Sequence, residues 1–219
     1  MMFGVVDVGF MLFVNCKQYD LVMGSKGVSF ARSLASEKSV IVIPSLPMLS
    51  SVANVLPGRV CAPHADAVVA GAFTGYVSPV ELKKLGVGYV LLNHSEHRLP
   101  YFVLKETVAL CLKQKLKVII CAQTMGEIIR YVSLNPYAVA FEPHELIGKN
   151  VSVIEKYPHM IQCIVAVSRR TGVKMFVGAG IHSVSDVTGA RMLGCDGVLL
   201  SHIVVGARNP KKVVKELLG

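Results

Sequence analysis

Charged residues are scarce in this chain, 17% of 219, and the acidic ones scarcer still, with 14 Asp and Glu against 23 Lys and Arg. Beside 53% hydrophobic residues, so little charge excludes a disordered or solvating chain. A chain this long buries most of its unfolded surface and needs no metal or disulfide staple. Long apolar runs are also missing. The stretch from Met1 to Val14 is interrupted by Asp7 and closed by Lys17, short of the roughly 20 residues a membrane span requires. It has neither a basic start nor a small-residue cleavage site, so no signal peptide and no membrane association are expected, and the compartment expected is the cytoplasm. The six cysteines, Cys16, Cys61, Cys111, Cys121, Cys163 and Cys195, form no CxxC pair and accompany no histidine cluster. Buried free thiols are expected, without a zinc site or a disulfide framework. The net charge of +9 is dispersed, densest at Arg169-Arg170 and Lys211-Lys212. A nucleic-acid surface would show a basic stripe with interleaved aromatics; this distribution suits instead a field that draws in a phosphorylated metabolite.

What is present is a regular alternation. Continuous apolar runs rich in Val, Ile, Leu and Phe fall at Phe10–Val14, Val40–Ile43, Arg59–Cys61, Gly88–Leu92, Lys117–Cys121, Ala138–Phe141, Lys174–Val177 and Gly197–Leu200, as strands buried on both faces require. Amphipathic stretches separate them, at Gly27–Ser36, Pro47–Val55, Pro79–Lys84, Pro100–Lys115, Thr124–Tyr131, Tyr157–Arg170, Ser183–Met192 and Asn209–Leu218. Helix-start chemistry opens several: Ser78-Pro79 places proline in a tolerated first turn, and Ser183 has Asp186 three residues on. Eight strand–helix units without a linker predict one α/β domain over 1–219, a closed parallel (β/α)8 barrel, with residues 1–9 an unassigned N-terminal extension. An open doubly wound sheet is the alternative; its GxGxxG turn is absent, the first run ending instead in Asn15-Cys16-Lys17.

In such a barrel, functional groups gather where strands end on the C-terminal face. Asn15 and Lys17 follow the first strand, His94 the fourth and Glu142 the sixth. The turn Gly178-Ala179-Gly180 follows the seventh, and Ser201-His202 ends the eighth. Each alone has an ordinary structural explanation; together they form a set suited to proton abstraction beside a carbonyl. A carboxylate removes the proton, a neutral donor polarises the carbonyl, and an ammonium offsets the developing charge. Backbone N–H groups after strands 7 and 8 would hold a phosphate. No metal and no organic cofactor is needed for this chemistry.

These residues resemble a known family. Asn15-Cys16-Lys17, Asn93-His94-Ser95-Glu96-His97-Arg98 and Phe141-Glu142-Pro143-His144-Glu145-Leu146-Ile147-Gly148 are similar to three signature segments of the triosephosphate isomerases, and Gly71-Ala72-Phe73-Thr74-Gly75 to their third loop. The wording of Glu145-Leu146-Ile147-Gly148 and Gly178-Ala179-Gly180-Ile181 resembles the short archaeal branch. The resemblance implies interconversion of dihydroxyacetone phosphate and glyceraldehyde 3-phosphate, with small phosphorylated trioses as the partners. It implies Glu142 as the proton shuttle, His94 as the electrophile, Lys17 and Asn15 as substrate-binding and charge-stabilising groups, and Glu96 as the residue that orients Lys17. Pro143 to Lys149 would be a lid, with Ile147, Gly148, Gly180, Ser201 and His202 at the phosphate. A neutral electrophilic imidazole and a closing loop are features for which triosephosphate isomerase is itself the standing example. Thr74 would reach a neighbouring subunit and brace its Asn15, so a homo-oligomer is implied, a dimer or, as in short archaeal members, a tetramer.

The chain departs from the pattern at several points. His144 stands where a second proline is usual, and Ser201-His202 replaces a small pair. Pro63 stands where a glutamine is expected and removes a backbone donor. Another phosphate-binding barrel enzyme, of aldolase or epimerase type, is the alternative function, although the strand-6 end carries Glu142 where a Schiff-base enzyme needs a strand lysine. A non-catalytic barrel that binds nucleic acid is a third possibility, and it gives no reason for the polar set to be complete.

Overall fold

The computed structural model describes residues 9–149 and 151–219. The expected extension, apart from Gly9, lies outside the described residues. Eight parallel strands form one sheet: β1 (Met11–Asn15), β2 (Val40–Ile43), β3 (Cys61–Ala62), β4 (Tyr89–Leu92), β5 (Lys117–Ala122), β6 (Ala138–Phe141), β7 (Lys174–Val177) and β8 (Gly197–Leu200). The hydrogen-bonded order is β2-β1-β8-β7-β6-β5-β4-β3. One isolated parallel bridge, Val42 to Val60, joins its two ends and completes the barrel.

Apart from Asn15, Lys117 and Lys174 at strand ends, the strands are apolar, yet their two faces serve different cores. On β1, Leu12 and Val14 belong to the layer between sheet and helices, while Met11 and Phe13 belong to the barrel interior. The same two-residue period sends Ala138 and Ala140 inward from β6, and Val139 and Phe141 outward. The interior is filled rather than hollow. Phe13 meets Phe176 at 5.1 Å between ring centroids and Tyr89 edge-on at 5.4 Å, with small alanines from β6 making room for them. Continuing the period one step past the apolar run puts Asn15 and Glu142 inward at the C-terminal mouth, both still buried. Strand parity thus aims two of the polar groups before any loop is considered.

The helices are α1 (Gly24–Ser33), α2 (Leu49–Val55), α3 (Pro79–Lys84), α4 (Tyr101–Lys113), α5 (Met125–Val132), α6 (Val153–Lys156), α7 (Pro158–Thr171), α8 (Val184–Met192), α9 (His202–Val205) and α10 (Pro210–Leu218). The expected starts hold where a cap signals them. Ser78 Oγ accepts from the Val80 N–H, and Ser183 and Asp186 form a reciprocal capping box.

Other boundaries need correction. The first helix runs three residues earlier than the expected Gly27–Ser36, because Leu34 to Glu37 are used in the turns that feed β2. The third strand is two residues long, not Arg59–Cys61. Arg59 stands just outside the strand, its carbonyl accepting the Val42 N–H at 3.1 Å and its guanidinium donating to the carbonyls of Ala35 and Glu37, at 2.7 and 2.9 Å, and Pro63 ends the strand. The one-turn helices α6 and α9 were not expected. Five thiols are buried, but Cys163 on α7 is exposed. Among the described residues, no helix is long and apolar enough to cross a membrane.

Candidate active site

The polar strand ends meet in a pocket of about 140 Å³ at the C-terminal mouth of the barrel, a size suited to a small metabolite rather than a drug-sized ligand. Asn15, Lys17, His94, Glu142, Ile147, Gly148, Gly180, Ser201 and His202 all line it. Glu96 lies in an adjoining pocket that shares Asn15, Lys17 and His94. Thr74 lines neither; it sits in a loop whose Val69, Phe73 and Tyr76 are exposed.

Two turns with left-handed backbone carry the chain past β1 and β4, and the second aims a residue that strand parity alone would misplace. After β1, the side-chain oxygen of Asn15 accepts the Lys17 N–H at 3.0 Å, closing a turn in which Lys17 adopts φ 46. The Lys17 ammonium then pairs with Glu96 Oε1 at 2.5 Å. After β4, Asn93 adopts φ 63, which shifts the phase so that His94, not Asn93, faces the pocket. Asn93 is held in that conformation by three bonds: its Nδ2 donates to Cys121 O and Tyr131 Oη, at 3.0 and 3.2 Å, and its Oδ1 accepts from Leu99 N–H. Arg98 fastens the same loop to α5, donating to the Asn93 carbonyl and pairing with Glu127. A non-glycine residue with positive φ is a sign of functional constraint when its surroundings enforce it, and here they do.

The Glu96 N–H donates to His94 Nδ1 at 3.3 Å. An acceptor nitrogen carries no proton, so in the neutral ring the proton is on Nε2. That nitrogen lies 3.8 Å from Glu142 Oε2, too far for a hydrogen bond. Glu142 Oε2 is fully buried and has no hydrogen-bond partner. A buried carboxylate oxygen left unpaired is costly unless a ligand supplies its partner. Beneath it, burial and the adjacent Glu142 carboxylate push the Cys121 thiol well up, so it stays protonated and able to donate to that carboxylate. The carboxylate fits only because residue 178 is glycine: a β-carbon there would stand 2.4 Å from Glu142 Oε1.

The side of the pocket where a phosphate was expected is built largely from main chain. Ala179 and Gly180 have φ 66 and 72, and Gly180 lies so close to the Val151 carbonyl that a β-carbon would reach within 2.0 Å of it. Ser201 Oγ donates to the Asn15 carbonyl at 2.6 Å, tying β8 to β1 and committing its hydroxyl to structure. The His202 ring lies edge-on to Tyr19, 6.0 Å between centroids, and against Gly206. It therefore forms part of the pocket wall. His144 opens a single 3-10 turn, His144–Leu146, whose Leu146 is buried as an anchor. The residues 143–149 thus leave β6 in an ordered turn despite the missing proline.

Two polar residues of the pocket were not foreseen, Tyr19 and His182. Tyr19 stands two residues after Asn15-Cys16-Lys17, and His182 directly follows Gly178-Ala179-Gly180-Ile181. Position next to a pocket-lining turn was the available signal. Among the described residues, no group of three or more His, Cys, Asp or Glu could hold a metal ion.

Residues 10–217 match the family model described as triosephosphate isomerase. The chain belongs to the triosephosphate isomerase family. Its relatives include the triosephosphate isomerase of Thermoplasma volcanium, 34% identical over 95% of this chain and 99% of that protein. That of Metallosphaera sedula is 35% identical, covering 94% and 93%, and that of Methanosarcina acetivorans 33%, covering 94% and 96%. Membership in a family of triosephosphate isomerases makes the chain an isomerase by kinship, and its (β/α)8 barrel agrees with that.

Proposed function

We propose that this chain interconverts dihydroxyacetone phosphate and D-glyceraldehyde 3-phosphate through an enediolate, within glycolysis and gluconeogenesis, in the cytoplasm. The observation that carries the reading is the buried, unpartnered Glu142 Oε2, 3.8 Å from the ring nitrogen of His94 in a pocket that also contains the Lys17 ammonium. A triose seated between those groups gives the carboxylate a carbon-bound proton to remove and the imidazole a carbonyl oxygen to polarise.

Glu142 takes a proton from the carbon beside the carbonyl, and the electron pair moves onto oxygen. His94 Nε2–H and the Lys17 ammonium, itself paired with Glu96, stabilise that oxygen as its charge grows. The imidazole passes a proton between the two oxygens, and Glu142 returns its own to the neighbouring carbon. The Asn15 amide assists substrate binding. Backbone N–H groups of Gly148, Gly180, Ser201 and His202 hold the phosphate, with Ile147 beside it, and the 143–149 segment covers the intermediate from water.

The test is a coupled isomerase assay in both directions on the wild type and on Glu142→Gln. Turnover in the wild type and a loss of about 10²–10⁴-fold in the variant are expected, with affinity for a phosphorylated analogue retained. Near-normal turnover in the variant would exclude the assignment.

The same reading extends to assembly. Exposed Phe73 and Tyr76 flank Thr74, and that loop suits insertion beside Asn15 of a second copy, in a dimer or tetramer. Light scattering at micromolar concentration should give a multiple of the 23.6 kDa chain; the mass of one chain rejects it.

A further inference from the structure

His182 leaves the turn after β7 with its backbone fixed and its ring reaching away. Its N–H donates to Asp186 Oδ2 at 3.0 Å. The same oxygen accepts the N–H and hydroxyl of Ser183, at 2.9 and 2.7 Å, so the residue is anchored on the capping box of α8. From that anchor Nε2 lies 2.9 Å from the main-chain carbonyl of Lys149. A carbonyl only accepts, so Nε2 donates. The bond joins the β7 turn to the downstream end of the 143–149 segment across 33 positions.

That end is where the segment needs a restraint. Its upstream end is secured by the buried Leu146 and by Tyr157 Oη donating to Glu145 at 2.5 Å. Beyond it, the Val153 N–H donates to the Ala179 carbonyl at 3.3 Å. Between these two anchorages comes Gly148, in the left-handed region at φ 74, inside a turn that the Lys149 N–H closes onto the segment itself by donating to the Leu146 carbonyl at 3.1 Å. The His182 bond falls one residue after that glycine.

We propose that His182 is the latch of the lid, a positioning residue whose ring holds the Gly148–Lys149 main chain over the phosphate end of the pocket. This rests on the isomerase reading. An enediolate left open to water breaks down by elimination. The oxygen on C1 re-forms a carbonyl, the C1–C2 π pair shifts to C2–C3, and the C3–O bond breaks with its pair leaving on inorganic phosphate. The other product is an enol that tautomerises to a 2-oxoaldehyde. A latch therefore governs the ratio of phosphate lost to triose isomerised, which a residue that only supports the fold does not alter.

The experiment compares wild type, His182→Leu and His182→Gln, the last retaining an N–H at similar reach. One net hydrogen bond corresponds to about a 2- to 10-fold change in an equilibrium. His182→Leu should lower kcat/KM by about that factor and raise phosphate release per isomerisation by the same about 2- to 10-fold. His182→Gln should restore both to within about 2-fold of wild type. The latch is refuted if His182→Leu releases no more phosphate per turnover than wild type, or if His182→Gln leaks as much as His182→Leu. Amide exchange over residues 144–149 in the unliganded protein supplies a readout independent of activity. Faster exchange in His182→Leu than in wild type and His182→Gln supports the latch, and equal rates refute it. A wild type inactive as an isomerase would instead sink the function, with the exchange result still deciding the latch.

Discussion

At the N-terminal end of the barrel the Lys117 ammonium sits over the rings of Tyr89 and Tyr137, 5.0 and 5.1 Å from their centroids, and donates to Tyr89 Oη at 3.3 Å. Beside it Lys174 pairs with Asp196 at 3.5 Å, and Asp196 also accepts the Met175 N–H at 2.8 Å. At the C-terminal end, buried Glu142 presents an oxygen with no partner at all. Both ends place ionisable groups on the strands of one barrel. At the first end Lys174 is matched by Asp196 and Lys117 is held by two tyrosine rings and a phenol oxygen; at the other a carboxylate oxygen is left without a partner. A barrel enzyme separates stability and activity along its axis in this way.

Substitutions at each end can break or sharpen that contrast. The largest effect belongs to Glu142→Gln, which should cost about 10²–10⁴-fold in turnover while leaving the melting temperature unchanged or raising it, because an unmatched buried charge is removed. A large fall in melting temperature would erase the contrast. Gly178→Ala should follow, at about 10²-fold in kcat/KM, since its β-carbon displaces the carboxylate from its working position. Full activity in that variant would show that the carboxylate has another home.

Asp186 is the exception that sharpens the comparison, a mouth carboxylate as fully partnered as those at the far end. Burial pushes its carboxyl up, but hydrogen bonds from Ser152, His182 and Ser183 together outweigh this and hold it below the ordinary value of 3.8. A depressed folded value means the contribution is complete above the unfolded carboxylate range and is lost as pH falls through the folded value. Asp186→Asn should cost about 1.5–3 kcal/mol near neutral pH, and chemical denaturation should find that gap shrinking only below about pH 4. A gap that widens in acid would contradict the sign. The smallest effect is expected from Asp196→Asn, about 1 kcal/mol of stability with kcat unchanged. A kcat loss there would couple the two ends.

The sequence exposed the strands because burial on both faces leaves unbroken apolar runs, and it exposed helix starts where Ser78 or Ser183 capped them. It could not show which face of a run looked inward, because both faces are apolar. Arg59 read as a strand residue because its carbonyl partners, Ala35 and Glu37, lie more than twenty positions away. The helices α6 and α9 offer only one turn each, too short for a period. Of the site, Asn15, Lys17, His94 and Glu142 were legible as polar residues ending apolar runs. The left-handed Asn93 that aims His94 was not, for its conformation depends on Cys121 and Tyr131. His182 escaped notice for the same reason, since its partner, the Lys149 carbonyl, arrives only when β7 and the 143–149 segment are brought together.

Where the ring of strands is weakest also matters. The lone bridge between Val42 and Val60 is the thinnest stave joint, and in the circular order it lies across the ring from β6 and β7, which carry Glu142 and the glycine turn. Thermal breathing should therefore part the barrel first on the side away from Glu142. Pro63, just past that joint, lines the adjoining pocket with Lys17, His94 and Glu96, so a cut or an added segment there would reach the pocket mouth directly.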